Sequence, residues 1–338
     1  MEPLLGVHNI RVNYRTERGL VRAVDDVSFS LRSRQNLALV GESGCGKTTV
    51  AKAILHLLAD NASISGGEIT FRGRQIHNMG EREFDRYRWR EISVISQSAM
   101  NALNPVYTVG DQIVEAIQAH ERVGRRESQE RVRELFQWVG LSPERIRAYP
   151  HEFSGGMKQR VIIAMSLALR PSLIIADEPT TALDVIMQDQ ILERIVNIQR
   201  QSSSSILMIS HDISVVTEVC QHIVVMYAGK VMESCSIEKF YQRPCHPYSM
   251  GLLMAFPTLE GEAKRLISIP GFPPNLLEEI DGCLFRDRCP FQRPVCGEIA
   301  PPDVEIGPGH VAKCHFAHQA DELRPLSTKE ETWEGSVA

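Results

Sequence analysis

The sequence predicts an α/β protein with a mostly parallel core sheet covered on both faces, an antiparallel side sheet, a helical subdomain and a small cysteine-rich C-terminal extension. Three observations predict it. Short β-branched runs alternate with amphipathic stretches up to about residue 242. A glycine-rich run, GESGCGKTT, lies between one such run and a helical segment. After residue 243 the composition shifts towards proline, glycine and cysteine.

Early segments such as GEITFRG (67–73) alternate apolar and polar residues and suit the antiparallel side sheet. NLALV (36–40), ISVIS (92–96), LIIAD (173–177), ILMIS (206–210) and IVVMY (223–227) are short, apolar and bounded by polar residues. They suit parallel strands buried on both faces, with the helical stretches between them as crossovers. From about residue 100 to 165 the pattern is mostly helical, which predicts an inserted helical subdomain within a domain spanning residues 1–242. Residues 243–316 form the expected extension, with RPCHPYSM and SIPGFPPNLLEEIDG, and residues 317–338 read as a loose polar tail. No internal repeat is visible.

The 338 residues suffice for a large domain plus a smaller one. A net charge of −5, from 37 basic and 42 acidic side chains, argues against general attraction to nucleic acid. The start, MEPLLGVHNIRVNY, lacks the basic and apolar regions of a signal peptide. VIIAMSLALRPSLIIA (161–176) is cut by Arg170 and Pro171, so no membrane span is expected. Eight cysteines without an export signal do not predict a disulfide framework. Cys220, Cys235 and Cys245 are scattered and read as structural, because free cysteine packs like a small hydrophobe.

GESGCGKTT, Gly41 to Thr49, fits a phosphate-binding loop between the strand NLALV and the helical VAKAILHLL. Its glycines, Gly41, Gly44 and Gly46, let the backbone curl so that successive N–H groups, those of Ser43 and Cys45 included, face phosphate oxygens. Lys47 brings a positive charge to the β- and γ-phosphates of ATP, Thr48 a hydroxyl to Mg²⁺, and the helix entered at Thr49 its dipole. In LIIADEPT, Leu173 to Thr180, an apolar strand ends in Asp177 and Glu178. Alone, two acids there suit a solvated strand end. Paired with a phosphate loop, Asp177 suits Mg²⁺ and Glu178 the orientation or deprotonation of the attacking water.

Two further pieces refine this reading. FSGGMKQR, Phe153 to Arg160, places Ser154, Gly155 and Gly156 at the start of an amphipathic helix, a second anion-binding helix terminus. One nucleotide needs one phosphate loop, so the second site suggests two protomers paired head to tail. His211 follows the strand ILMIS and is a candidate for contacting the γ-phosphate. Taken alone it equally suits a histidine with no catalytic role.

The order GESGCGKTT, Gln97 in VISQS, FSGGMKQR, LIIADEPTTALD and MISHD resembles the ATP-binding subunits of ABC transporters over about residues 4–240. The resemblance implies a P-loop NTPase of the ABC cassette fold. It also implies roles: Tyr14 stacks on adenine, and Gln97 joins Thr48 and Asp177 at Mg²⁺ and senses the membrane partner. Glu178, His211 and Gln97 make the catalytic set, and Ser154, Gly155 and Gly156 complete the partner's nucleotide site. The chain departs from the usual pattern with Ser96, Ser98 and Ala99 around Gln97 and with Phe153 where leucine is usual.

HPYSMGLL, ISIPGFPPNLL and GCLFRDRCP resemble the C-terminal extension of ATPase subunits from dipeptide, oligopeptide and nickel importers, to about residue 316. Within it Cys283, Cys289, Cys296 and Cys314 are separated by five, six and seventeen residues. Four thiolates suit [4Fe–4S] or Zn²⁺, but the spacing matches neither the paired zinc pattern nor the ferredoxin run. Spacing leaves an iron–sulfur cluster, zinc and free or disulfide-linked thiols open; the resemblance favours the cluster. Its expected role is a staple for a poorly cored segment, with redox sensing as the alternative.

The expectation is therefore an ATP-hydrolysing importer subunit on the cytoplasmic face of the membrane. Its expected partners are a second, related ATPase subunit, two permease subunits and, indirectly, an extracytoplasmic solute-binding protein. The expected solute is a di- or oligopeptide; nickel and oligosaccharides are alternatives. A soluble ABC-type ATPase acting on DNA or ribosomes is the rival, although the chain has neither a second cassette nor a coiled-coil insertion. A sensor with a vestigial nucleotide site is opposed by the intact Lys47, Asp177, Glu178 and His211.

Overall fold

The structure is a computed structural model that describes residues 2–96, 102–180, 185–255 and 267–334. The chain divides into two compact units. One comprises Met1–Ser30, Leu37–His77 and Ser210–Ala338, the other Leu31–Asn36 and Asn78–Ile209. In chain order the strands begin with β1 (Leu5–Thr16), β2 (Gly19–Leu31), β3 (Asn36–Val40), β4 (Ala62–Phe71) and β5 (Arg74–Gln75). They continue with β6 (Ile92–Ile95), β7 (Leu173–Asp177), β8 (Ser205–Ser210) and β9 (His222–Tyr227). The last are β10 (Lys230–Ser236), β11 (Asp303–Gly307) and β12 (His310–Lys313).

In the first unit, β2, β1, β4 and β5 lie side by side, with β1 and β4 antiparallel from Leu5↔Phe71 to Tyr14↔Ala62. This is the expected side sheet. A second layer pairs β3 with β9 in parallel and β9 with β10 antiparallel. All five residues of β3 and five of the six in β9 are buried, as a strand covered on both faces requires. The hairpin β11–β12 pairs antiparallel with itself and, through β12, with β10. Part of the extension is thus sheet, joined in register to the edge of the preceding domain.

In the second unit β6, β7 and β8 run parallel. β8 is buried throughout, as are the first four residues of β7. Helices Val109–His120 and Arg125–Trp138 turn Ile113, Val114, Ile117, Val132, Leu135 and Phe136 inward. Thr108 starts the first of them, its Oγ1 accepting from the Asp111 N–H at 3.2 Å.

Two expectations need correction. Helix Gly155–Ser166 is not amphipathic: Val161, Ile162, Ile163 and Ala164 are buried in succession, and four in a row face every side of a helix. Residues 317–334 are not a loose tail either. They form helices Ala320–Ser327 and Glu330–Glu334. Trp333 is buried, and its indole N–H donates to the Ser327 carbonyl at 2.8 Å. Gly251 makes room for it: a Cβ there would lie 2.6 Å from the Trp333 ring. The extension has a small core of its own, in which Cys245, Met250, Ala312, Ala317, Ala320 and Leu323 pack with Phe291 and Phe316.

Candidate functional site

The phosphate loop leaves β3 at Gly41 and enters the helix Lys47–Ile54 through Gly46. Both glycines are required by close approach as well as by positive φ. A Cβ on Gly41 (φ +148°) would meet the Met226 carbonyl at 2.0 Å, and one on Gly46 (φ +105°) the Ala23 carbonyl at 2.4 Å. Ser43, Gly44 and Thr48 are exposed along the loop, whereas Lys47 is 5% exposed. The buried ammonium of Lys47 donates to the carbonyls of Gly41 at 2.7 Å and Glu42 at 3.0 Å. Its charge is thereby held at the loop, where an anion can replace the carbonyls as its partner.

Cys45 contributes its backbone; its side chain is buried, 3.6 Å from the Lys47 ammonium. Burial pushes the thiol pKa up, against the opposing pull of Lys47. The half-buried Tyr14 brings its hydroxyl within 3.4 Å of Thr49 Oγ1, so the expected adenine-stacking ring and the loop helix are neighbours. His211 is exposed, immediately after β8. Asp212, next to it, caps the helix Ile213–Val219 by accepting from the Ser214 N–H at 2.9 Å.

In the second unit Asp177 ends β7, and Glu178 follows with φ +49°, a left-handed conformation that is uncommon for glutamate. Its N–H donates to the Ile209 carbonyl at 2.9 Å, which fixes the turn against the end of β8. Ser154 caps the helix Gly155–Ser166, its Oγ accepting from the Met157 N–H at 3.4 Å, and it is exposed. Sequence reasoning missed Gln159 on this helix. It is 4% exposed and donates to the Pro179 carbonyl at 2.7 Å, tying the Ser154 helix to the segment that carries Asp177 and Glu178. A glutamine between Lys158 and Arg160, just before the apolar run from Val161, was the available signal. Gln97 lies outside the described residues.

The four clustered cysteines come together. Cys283, Cys289, Cys296 and Cys314 line one small cavity, with Phe285, Phe291, Phe316, Pro247 and His246 around them. The first three are buried and the fourth half-buried. The Cys283 N–H donates to the Cys296 carbonyl at 2.7 Å, which closes the loop between them. Burial raises the thiols of Cys283 and Cys289, and that of Cys314 to about 11. No three of these sulfurs lie within 4.8 Å of one another. Four thiolates on a single zinc, each at about 2.3 Å, would sit about 3.8 Å apart. As they stand, the four sulfurs share one cavity without being gathered to the spacing of a single zinc site. His246 adds a polar edge to this cavity: it is 1% exposed, and its Nδ1 accepts from the Tyr248 N–H at 3.0 Å.

Among the described residues one group of potential ligands is tighter: Glu233, Cys235 and His310, all buried, with donor atoms within 4.8 Å. Here the carboxylate is already engaged. It accepts from the N–H groups of Cys245 at 2.8 Å and His246 at 2.9 Å, and pairs with His310 Nε2 at 2.7 Å. This arrangement is a hydrogen-bonded node joining β10, the segment before His246 and β12.

The family profile described as "ABC transporter" matches residues 24–181, and that described as "Oligopeptide/dipeptide transporter, C-terminal region" matches residues 232–296. The chain is 45% identical over 315 residues to the oligopeptide transport ATP-binding protein OppD of Escherichia coli (strain K12), covering 93% of each chain. It is 40% identical over 330 residues to the dipeptide transport ATP-binding protein DppD of Bacillus subtilis (strain 168), covering 97% of this chain and 98% of the relative. In fold it is similar to the ATP-binding cassette MJ0796 in a dimeric, post-hydrolysis state bound to ADP and Pi. The TM-score is 0.61 at 24% identity, over 69% of this chain and 98% of that one.

Proposed function

This chain belongs to the ATP-binding subunits of ABC transporters, of the oligopeptide and dipeptide type, and on that premise we propose how its residues serve peptide import. It is the ATPase subunit of a peptide importer. The observation that carries the mechanism is the phosphate loop with Lys47 held on the Gly41 and Glu42 carbonyls. In the reading we favour, ATP places its phosphates on the loop amides and Lys47 exchanges carbonyl partners for phosphate oxygens. Tyr14 stacks on the base. Thr48, Gln97 and Asp177 would hold Mg²⁺, which supplies neutralisation of phosphate charge. Glu178 orients and deprotonates the attacking water, and His211 contacts the γ-phosphate. Ser154, Gly155 and Gly156 serve the nucleotide of a second ATPase subunit, supported by the exposed, capped start of their helix.

The partners are two permease subunits and a related ATPase chain, with a solute-binding protein acting outside. Among the described residues no helix is long and apolar enough to cross a membrane. In our reading attachment to the cytoplasmic face runs through the permeases. The exposed Val106 and Tyr107 flank an open cleft of about 1070 Å³ lined by Trp89, Gln112, Glu115 and Gln118, which suits a permease segment with an apolar side. For the four-cysteine cavity we propose a [4Fe–4S] cluster on Cys283, Cys289, Cys296 and Cys314, with a structural role. The test is reconstitution. The chain, copurified with its permeases and placed in proteoliposomes, should drive ATP-dependent uptake of labelled di- or oligopeptides. Uptake of nickel or an oligosaccharide instead, or ATPase activity without copurifying permeases, would overturn the peptide reading.

A further inference from the structure

Arg288 stands one residue before Cys289, yet its side chain belongs to the phosphate loop. Its Nη1 and Nη2 donate to the two carboxylate oxygens of Glu42 at 2.7 and 2.8 Å, a bidentate pair. Nε donates to the Pro270 carbonyl at 2.7 Å, Nη2 to the Ile269 carbonyl at 3.3 Å and Nη1 to the Tyr227 hydroxyl at 3.3 Å. Arg288 is 4% exposed.

Glu42 is the second residue of the loop, and each of its polar groups is engaged. Its carboxylate meets Arg288, its N–H donates to the Tyr248 hydroxyl at 2.9 Å, and its carbonyl accepts from Lys47. An acid within an anion-binding loop is unfavourable by itself, since its charge repels phosphate. Arg288 supplies the missing countercharge.

The other end of Arg288 is fixed by the cysteines. Residues 283–289 form one tight turn, in which the Arg286 N–H donates to the Cys283 carbonyl, that of Arg288 to Phe285, and that of Cys289 to Arg286, each at 3.1 Å. Phe285 lines the cysteine cavity and packs on Tyr227 and Tyr248, with ring centroids 5.3 Å away in both cases. The group that neutralises Glu42 and the turn that presents two of the four thiols are one rigid piece.

We propose that Arg288 is a positioning residue that neutralises Glu42, and that through it the cysteine-lined site sets the nucleotide affinity of the phosphate loop. When the cysteine turn is displaced, Arg288 leaves with it, and the uncompensated Glu42 carboxylate opposes the phosphates of ATP. The inference rests on the proposed reading of the cavity only in naming what orders the turn; the ion pair stands on its own geometry.

The test is a binding cycle on the full chain, titrated with Mg²⁺ and a non-hydrolysable ATP analogue, with iron and zinc content measured on every sample. Arg288→Met should weaken binding about tenfold, within the usual range of coupling between sites. Glu42→Gln in the same chain should restore it, because the repelling charge is gone. A role for Arg288 in folding alone would give no such rescue. Cys289→Ser should weaken binding in the wild-type background and not in Glu42→Gln. Equal losses in both backgrounds, or no rescue of Arg288→Met, would overturn the inference. If wild-type protein carries no metal but Cys289→Ser still acts only through Glu42, the cluster reading fails while the coupling stands.

Discussion

The phosphate loop and the cysteine-lined cavity lie in the same compact unit and are built by opposite means. The loop is a receptor for anions made of backbone. Its shape is set by glycines that no other residue replaces at Gly41 and Gly46, and its one buried cation is held ready on two carbonyls. The cavity is made of side chains drawn from distant positions, and burial holds the thiols of Cys283, Cys289 and Cys314 in the neutral form. A loop of backbone dipoles carries its charge complement before any ligand arrives. A set of thiols acquires charge only as a cation displaces protons. The first kind of site tolerates the loss of groups that do not balance its own charges; the second depends on every member.

The difference predicts how each region breaks. Removing the proposed catalytic carboxylate should leave binding intact. In Glu178→Gln, ATP affinity should stay close to wild type while turnover falls by at least about 100-fold and a closed dimer accumulates. Single-turnover hydrolysis and size-exclusion chromatography with ATP check this, and near-normal turnover would remove Glu178 from the catalytic role.

In the cavity a single loss should suffice. Serine at any one of Cys283, Cys289, Cys296 or Cys314 should abolish or destabilise metal binding. Serine at Cys45, Cys220, Cys235 or Cys245 should not. Anaerobic protein should show absorbance near about 400 nm and about four irons per chain. One tightly bound zinc in a colourless protein would favour the mononuclear alternative, and four titratable thiols without metal would defeat both.

The smallest effect concerns pH. Burial lowers His246 from 6.5 to about 4, with the Glu233 charge and the Lys313 backbone opposing that shift. On acidification the unfolded chain takes up this proton first. Stability is complete above about pH 6.5 and is lost as pH falls towards 4, by up to about 3 kcal/mol. Denaturant unfolding at pH 7 and 4.5 should show this loss in wild type, and His246→Asn should show less of it. An equal loss in both would remove His246 as its source.

What the sequence made legible was local. The nine residues Gly41–Thr49 carry their geometry in their own order, and β3, β7, β8 and β9 announce themselves as short apolar runs. The four cysteines stand out in the sequence as a set, and all four line one cavity. Three things were hidden. Glu42 and Arg288 are 246 residues apart, and no spacing pattern links an acid in one motif to a base in another. Trp333 reads as one aromatic in a polar tail; its burial depends on Gly251 and on an acceptor at Ser327. The left-handed backbone of Glu178 is imposed by its N–H bond to β8, whereas glutamate itself favours no such conformation.

The hairpin β11–β12 has a further consequence, for solubility. β10 pairs with β9 on one side and would otherwise present a row of unpaired N–H and C=O groups on the other. β12 covers that row at Glu233↔Ala312 and Ser234↔Val311, and β11 becomes the new rim. That rim carries Asp303 and Glu305, both exposed. Charges on an outermost strand discourage a neighbouring chain from adding to it. A chain shortened before residue 303 would therefore exchange a guarded edge for a bare one and should self-associate at concentrations where the full chain stays dispersed.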